Sequence, residues 1–513
     1  MCEVEDGDHL ELFKKEKSLG TKCMKCKEGT AAIIIRVGDA FCRSCFKEYF
    51  VHKFRAMLGK NRVVYPGEKV LLAYSGGPSS SAMIQQVQEG LSRDAPKKLR
   101  FVPGILFVDE GAVCGQSGED REKTVSEVEH VLRGTGFPFH IVALEEVLSL
   151  PSSVLQRTPP GSSAQKQNYK QAVGLFLEHQ HGSTEESHIT DQLAQLSTAD
   201  SAAPRASDAA PNTASRSRPP ARLTEELTQL FTQTKTLTAK QELLHTLRTH
   251  LILHTARSCG YSKVMSGESC TRLSVSLLSN ISLGRGAFLP LDTGFSDSRF
   301  GDVTFIRPMR EYSLKEISFN NRLFDVPSVF IPTLDTKASD NSSIQRLSET
   351  FITRLQADFP STVSTVYRTS EKLNLSTAEK HQEDNRQEKC LMCLCPLDTC
   401  VGSASAFQAT EVSQRLSQRT VYGTETPAKD CENTCGNAGQ CCEQEKKVPA
   451  YLTRGAGTPG IFNMLCYSCR LTVKELKSLD KMPQYILHEA EHRSCRREMR
   501  KEIQEFLLED ADV

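Results

Sequence analysis

LLAYSGGPSSSAM, residues 71–83, is the stretch whose reading decides the fold. Leu71, Leu72 and Ala73 form an apolar run suited to a buried strand, and Ser75-Gly76-Gly77 supplies a tight turn. Ser79 to Ser81 can cap a helix that Met83, Ile84, Val87 and Leu91 continue at helical spacing. Such a turn aims backbone N–H groups at whatever lies above the helix N-terminus, a geometry that favours phosphate. Without a ligand it is simply a close strand-to-helix connection.

Outward from this stretch the chain alternates. Val70–Tyr74 reads as a strand, 79–91 as a helix, 101–109 as a second strand ending at Asp109-Glu110-Gly111, 121–136 as a helix and 139–144 as a third strand. Residues 157–222 lose apolar content and read as a disordered insertion with room for one short helix. The pattern resumes at 224. Leu243, Leu247 and Leu251 share one helical stripe closed by Gly260, followed by a strand at 261–267, a helix at 268–286, a strand at 302–309 and a helix at 313–324. Strands alternating with helices predict an α/β fold, a parallel sheet with ligands at the carboxyl ends of its strands.

Nineteen cysteines in 513 residues would mean disulfides in a small secreted chain. Here the chain is long, its first twenty residues lack an apolar stretch, and many cysteines stand in C-x-x-C pairs, so metal binding in a reducing compartment is expected. Cys23, Cys26, Cys42 and Cys45 flank a predicted hairpin (Ile33 to Ile35, a turn at Gly38-Asp39, then Phe41) and predict one zinc-ribbon site. Cys390, Cys393, Cys466 and Cys469 predict a second four-thiolate site with a long insert. Cys431, Cys435, Cys441 and Cys442 lie in a polar segment and are either a third site or unstructured. Formal net charge is zero, so any nucleic-acid contact must be local. Lys14-Lys15-Glu16-Lys17 and Lys97-Lys98-Leu99-Arg100 are candidate phosphate contacts, though such runs are commonly solvated faces. No run reaches membrane-spanning length, and a cytoplasmic location is expected.

SGG after a buried strand, VDEG after the next and IRPM before a later helix together resemble the PP-loop ATP pyrophosphatase family, and more narrowly its tRNA-thiolating branch. The resemblance covers roughly 15–150 and 225–475. It implies a PP-loop (adenine nucleotide alpha hydrolase-like) sheet, and a role in forming 2-thiouridine at the wobble position, U34, of certain tRNAs. It also implies tRNA, a catalytic PP-loop subunit of the cytosolic thiouridylase and a ubiquitin-like thiocarboxylate sulfur carrier as partners, and no membrane.

That chemistry needs amides for the triphosphate, a carboxylate for magnesium and a cysteine with a lowered pKa to carry sulfur. The family loop S-G-G-x-D-S stands here as Ser75-Gly76-Gly77-Pro78-Ser79-Ser80, with serine at the aspartate position. The family's later G-H-x-x-D-D segment aligns with Gly267-Glu268-Ser269-Cys270-Thr271-Arg272, where both aspartates are gone. Asp109 and Glu110 survive, and only Cys114 and Cys270 offer themselves as catalytic cysteines, with buried or surface thiols as the plain alternative. Ser75, Gly76, Gly77 and Ser80 form a degenerate phosphate loop, and ATP and magnesium are doubtful ligands.

The expectation is therefore a zinc-stabilised, non-catalytic subunit that positions tRNA for an active relative. An ATP-dependent adenylating sulfurtransferase and a zinc-stabilised RNA-binding adaptor are the alternatives. The implied organisation is a ribbon module at 15–60, PP-loop parts at 62–150 and 224–385 around the 157–222 insertion, a cysteine-rich zinc module at 386–475 and a C-terminal helix within 476–513.

Overall fold

The structure is a computed structural model that describes residues 22–35, 39–92, 95, 98–156, 219–372, 389–397 and 459–504, with five positions between 169 and 176. Cys431, Cys435, Cys441, Cys442, the Lys14–Lys17 cluster, Lys97 and most of 157–222 lie outside the described residues, as does Gly38 of the predicted hairpin turn.

Among the described residues six strands form one sheet in the order β5-β4-β3-β6-β8-β7, namely β3 (Lys69–Tyr74), β4 (Val102–Asp109), β5 (Phe139–Ala143), β6 (Lys263–Ser266), β8 (Thr304–Ile306) and β7 (Ser296–Asp297). All neighbours pair in parallel except β7, which runs antiparallel to β8 at one edge. The order reverses at β3, so the topological switch point falls between β3 and β6, where a ligand crevice is expected. β4, β5, β6 and β8 lie within their expected spans, β3 begins one residue before its span at Lys69, and the short edge strand β7 was not expected.

Side-chain alternation along β3 and β4 splits the interior into two cores. Val70, Leu72, Tyr74, Ile105 and Phe107 face one side, packed with α1 (Arg43–Asn61), α2 (Pro78–Leu91) and α3 (Gly118–Arg133). Leu71 and Leu106 face the other, with α4 (Ala221–Gln233) and α5 (Leu237–Ser258). Helix α1 went unread in the sequence, although Phe46, Phe50 and Phe54 recur at four-residue spacing and are buried. A third, smaller cluster joins Cys270 and Leu273 of α6 (Cys270–Ser282) to Ile352 of α9 (Ile344–Asp358) and Val363 of α10 (Pro360–Arg368). Between them run α7 (Leu289–Thr293) and α8 (Leu314–Leu323), the latter opened by a capping box between Ser313 and Glu316.

The cysteine segments are not appendages. A two-stranded hairpin, β1 (Ile33–Ile34) and β2 (Ala40–Phe41), brings Cys23 and Cys45 into the first core. Cys390 and Cys469 belong to the second, beside α5, α11 (Pro459–Phe462), α12 (Tyr467–Lys474) and α13 (Gln484–Gln504). Within the 157–222 insertion the expected disorder is not uniform. Tyr169, Ala172, Val173, Gly174 and Phe176 are helical, the Tyr169 ring lies 5.9 Å from that of Tyr65, and α4 already begins at Ala221. Among the described residues no helix is long and apolar enough to cross a membrane.

At the switch point β6 leads into Gly267, where a Cβ would stand 2.9 Å from the backbone nitrogen and Cα of Ser80. Helix backbone cannot yield as a side chain can. Gly267→Ala is expected to lower stability by about 1–3 kcal/mol, measured as a shift of the urea midpoint.

Candidate functional site

Ser75, Gly76, Gly77 and Ser80 are brought together as the sequence anticipates. The backbone is held in its turn by Gly76 at φ +76°, a left-handed conformation natural to glycine. The loop is closed on itself. Ser80 Oγ accepts from the Ser75 amide at 3.2 Å and donates to the Gly77 carbonyl at 3.0 Å. Pro78 occupies the first turn of α2 and contributes no N–H. A neighbouring segment lies across the turn: the Val329 amide donates to the Gly76 carbonyl at 2.9 Å. Ile331 Cδ1 stands 2.5 Å from where a Gly76 Cβ would be. The turn keeps its shape with fewer free donors for an anion.

The two surviving carboxylates are already engaged. Asp109 accepts from Arg121 Nε at 2.7 Å and from the Gly111 amide at 3.0 Å. The same arginine forks onto Glu145, Nη1 to Oε1 at 2.6 Å and Nη2 to Oε2 at 2.9 Å, and Thr224 Oγ1 donates to Glu145 at 3.0 Å. Glu145 is completely buried. Burial alone would raise its pKa, but the Arg121 hydrogen bonds outweigh it and hold the carboxyl below its ordinary value. Glu110 is gripped by Arg248 of α5, whose Nη2 donates to Oε2 at 2.9 Å. In the segment aligned with the family's second acidic motif, Glu268 accepts from Arg307 Nε at 2.6 Å. Ser269 caps α6, and Arg272 pairs with Glu349 at 3.3 Å near the surface. Asp109, Glu110, Glu145 and Glu268 each carry a guanidinium where a magnesium ligand would need a free carboxylate.

Arg121, Glu145, Arg248 and the 329–331 segment were not singled out in the sequence. No motif spacing links them; Arg248 is simply off the Leu243/Leu247/Leu251 stripe.

The two candidate cysteines do not meet. Cys114 follows Glu110 in a turn, and burial, aided by the Glu110 carboxylate, pushes its thiol up to about 12. Cys270 opens α6 and is 4% exposed; burial and the Glu316 carboxylate push it up to about 11. Neither is poised as a thiolate at neutral pH.

The eight predicted ligand cysteines do gather, as two clusters of four, each with all its sulfurs within 4.8 Å of one another. Both use one local design. The first C-x-x-C ends in a left-handed residue, Lys27 at φ 61° and Leu394 at φ 58°. In each the chain closes back on the first cysteine: Lys27 N–H donates to the Cys23 carbonyl at 2.8 Å, and Leu394 N–H to that of Cys390 at 3.1 Å. The second pair opens a helix, with Cys42 and Cys466 as extended N-cap residues. Amides also point at sulfur, Gly29 to Cys26 at 3.4 Å and Cys466 to Cys390 at 3.3 Å. Burial works against the Cys23 thiolate, but backbone N–H groups of Cys26, Cys42 and Lys25 prevail and bring its pKa down to about 6. The sulfurs of Cys26 and Cys42 are 3.9 Å apart, and those of Cys393 and Cys466 3.6 Å. Tetrahedral zinc at 2.3 Å from each thiolate needs about 3.8 Å between them. A four-iron cluster, whose thiolates cap different irons, needs its cysteines farther apart. Either cluster can therefore hold a single metal ion.

The pattern that defines the cytoplasmic tRNA 2-thiolation protein 2 family matches residues 343–471. The chain is 63% identical to the protein of that name from Xenopus tropicalis over 99% of both chains. It is 52% identical to that from Homo sapiens, over 96% of this chain and 94% of the other. Among solved structures, the U34-tRNA thiolase NcsA from Methanococcus maripaludis, with its [4Fe-4S] cluster, is a distant likeness. It aligns with 69% of this chain and 88% of its own at 14% identity and a TM-score of 0.43.

The Arg121 fork generates two expectations. Arg121→Ala strands two carboxylates and should cost about 3–5 kcal/mol. Because Glu145 titrates lower when folded, its contribution is complete above the unfolded value of 4.5 and drains away as pH falls through the lower folded value. Urea midpoints followed against pH should decline on that acid side, and Glu145→Gln should flatten the decline. Identical acid limbs in both proteins would refute the assignment.

Proposed function

The chain belongs to the cytoplasmic tRNA 2-thiolation protein 2 family, and from that premise we propose that it serves cytoplasmic tRNA 2-thiolation as a non-catalytic subunit. It would hold tRNA for a catalytic PP-loop partner that forms 2-thiouridine at U34, with sulfur delivered by a ubiquitin-like thiocarboxylate carrier. The observation that supports this reading is the state of the crevice at the switch point. Asp109 and Glu110 are spent on Arg121 and Arg248, and the Val329–Ile331 segment covers Gly76. Triphosphate chemistry needs free donors and an anionic magnesium ligand; Pro78 and the Ser75–Ser80 hydrogen bond reduce the first, and internal ion pairs occupy the second.

Both cysteine clusters are assigned to structural zinc. Four closed thiolate ligands leave no open position for substrate, which suits a structural rather than a catalytic ion. When bound, zinc supplies cross-linking between two distant knuckles in each cluster. The chain's own groups, the amides of Gly29 and Cys466, steady the sulfurs.

In the complex purified with its partner, Ser75→Ala and Cys114→Ala should leave ATP-dependent thiolation nearly unchanged, and the isolated chain should release no pyrophosphate. Loss of thiolation in an intact, tRNA-bound complex carrying either substitution would instead make this chain an adenylating enzyme. Elemental analysis of the purified chain should find zinc at one ion for each of the two clusters. Cys23→Ser and Cys390→Ser should each remove one ion and loosen the core on their own face of the sheet. Iron in place of zinc, or unchanged metal content in both variants, would overturn the assignment.

A further inference from the structure

The two cysteine clusters differ in what lies behind their first turn. Lys25, third in the first C-x-x-C, stands at the surface with its side chain 48% exposed. Met392, third in the other, is 1% exposed. A backbone carbonyl at such a buried position needs a donor from within the protein. His250 of α5 supplies it: its Nε2 lies 2.7 Å from the Met392 oxygen. Its Nδ1 lies 2.7 Å from the hydroxyl of Tyr485 in α13, and both side chains are buried.

The direction of these bonds follows from their chemistry. A carbonyl can only accept, so Nε2 carries the proton and donates. Burial pushes the His250 pKa down to about 4, so the ring is neutral near pH 7 and its bare Nδ1 accepts from the Tyr485 O–H. The chain of donation therefore runs from Tyr485 through His250 to Met392. The Met392 carbonyl belongs to the peptide unit that leads into Cys393. Because that unit is planar, holding its oxygen also sets the Cys393 amide and the Cα from which the thiol departs. Backbone bonds fix the rest of the turn: Cys390 N–H donates to the Cys395 carbonyl at 2.7 Å, and Leu391 N–H to that of Met464 at 2.8 Å. A core histidine that merely satisfies a carbonyl could meet it anywhere in the fold. This one meets it inside a C-x-x-C turn, on the peptide that carries a ligand.

We propose that His250, held by Tyr485, is a positioning residue of the second metal site. It sets the Met392–Cys393 peptide so that the Cys393 sulfur meets the ion together with those of Cys390, Cys466 and Cys469. The proposal rests on the assignment of that cluster to zinc and adds the device that keeps its turn in shape. The same helix carries Arg248, so α5 holds both this turn and Glu110.

The test follows zinc release to an excess of a chromophoric chelator, using the full chain in the complex in which it purifies. The difference between wild type and Cys390→Ser identifies the second-site ion, and the first-site ion serves as internal control. His250→Leu removes the donor and should speed second-site release about tenfold or more, the usual worth of a partner that orients a metal ligand, with first-site release unchanged. His250→Gln, whose amide nitrogen can take the place of Nε2, should restore most of the wild-type rate. Tyr485→Phe keeps the imidazole but frees its far side, and should speed second-site release about threefold, so that the proposal stands or falls even where His250→Leu does not fold. A residue that serves only the core would lower the thermal midpoint and speed release at both sites together. That result, or unchanged second-site release in His250→Leu and Tyr485→Phe, overturns the positioning role and leaves the zinc assignment standing. Absence of a second-site ion from the wild-type protein overturns the assignment and the proposal with it.

Discussion

A parallel sheet must be covered on both faces, because its strands carry apolar side chains in both directions and its backbone cannot be left to water on either side. That constraint organises this chain. Leu71 and Leu106 face one core while Val70, Leu72 and Ile105 face the other, and a thiolate knuckle is set into each. Cys23 and Cys45 help close the face of α1 to α3, and Cys390 and Cys469 close the face of α4 and α5. A metal in either site would bind the folded arrangement and not the unfolded chain, so metal affinity enters directly into the stability of the sheet. The clusters are therefore part of the α/β core rather than modules beside it.

The same economy governs the charges at the carboxyl ends of the strands. Asp109, Glu145, Glu110 and Glu268 would repel one another without a counter-ion, and Arg121, Arg248 and Arg307 neutralise them internally. A bidentate guanidinium satisfies two carboxylate oxygens in fixed geometry, which a mobile magnesium–phosphate ligand does only while bound. The cost is rigidity. With the arginines in place the crevice is ordered without ligand, and opening it to a triphosphate would mean breaking pairs that are partly or wholly desolvated.

Much of the architecture was legible because it rests on local signals. The apolar run at 71–73, the SGG turn and the Met83/Ile84/Val87 stripe each identify one element, and the strands at 101–109, 139–144 and 302–309 follow the same logic. The two four-cysteine clusters were legible because C-x-x-C spacing places two sulfurs close together whatever the rest of the fold does. What stayed hidden depends on distant parts of the chain. Arg248 meets Glu110 across 138 residues, and Val329 reaches Gly76 from a loop with no pattern of its own. Helix α1 is a different case: its stripe of Phe46, Phe50 and Phe54 is a local signal, but it starts directly after Cys42 inside the expected 15–60 ribbon, where the cysteine spacing is the stronger pattern.

The persistence of the glycines in a loop read as lacking its chemistry has a packing explanation. Gly76 adopts a left-handed conformation with Ile331 resting directly on it, and Gly267 lets β6 come within van der Waals reach of the first turn of α2. Either glycine is required by the neighbouring backbone or side chain even if no phosphate ever binds. A glycine-rich turn after a buried strand thus reports how closely the chain must approach itself at the switch point. The residues that distinguish a working phosphate site from its scaffold are the ones with free charge, and here Pro78, Ser79 and the arginine-bound carboxylates stand where that charge would be.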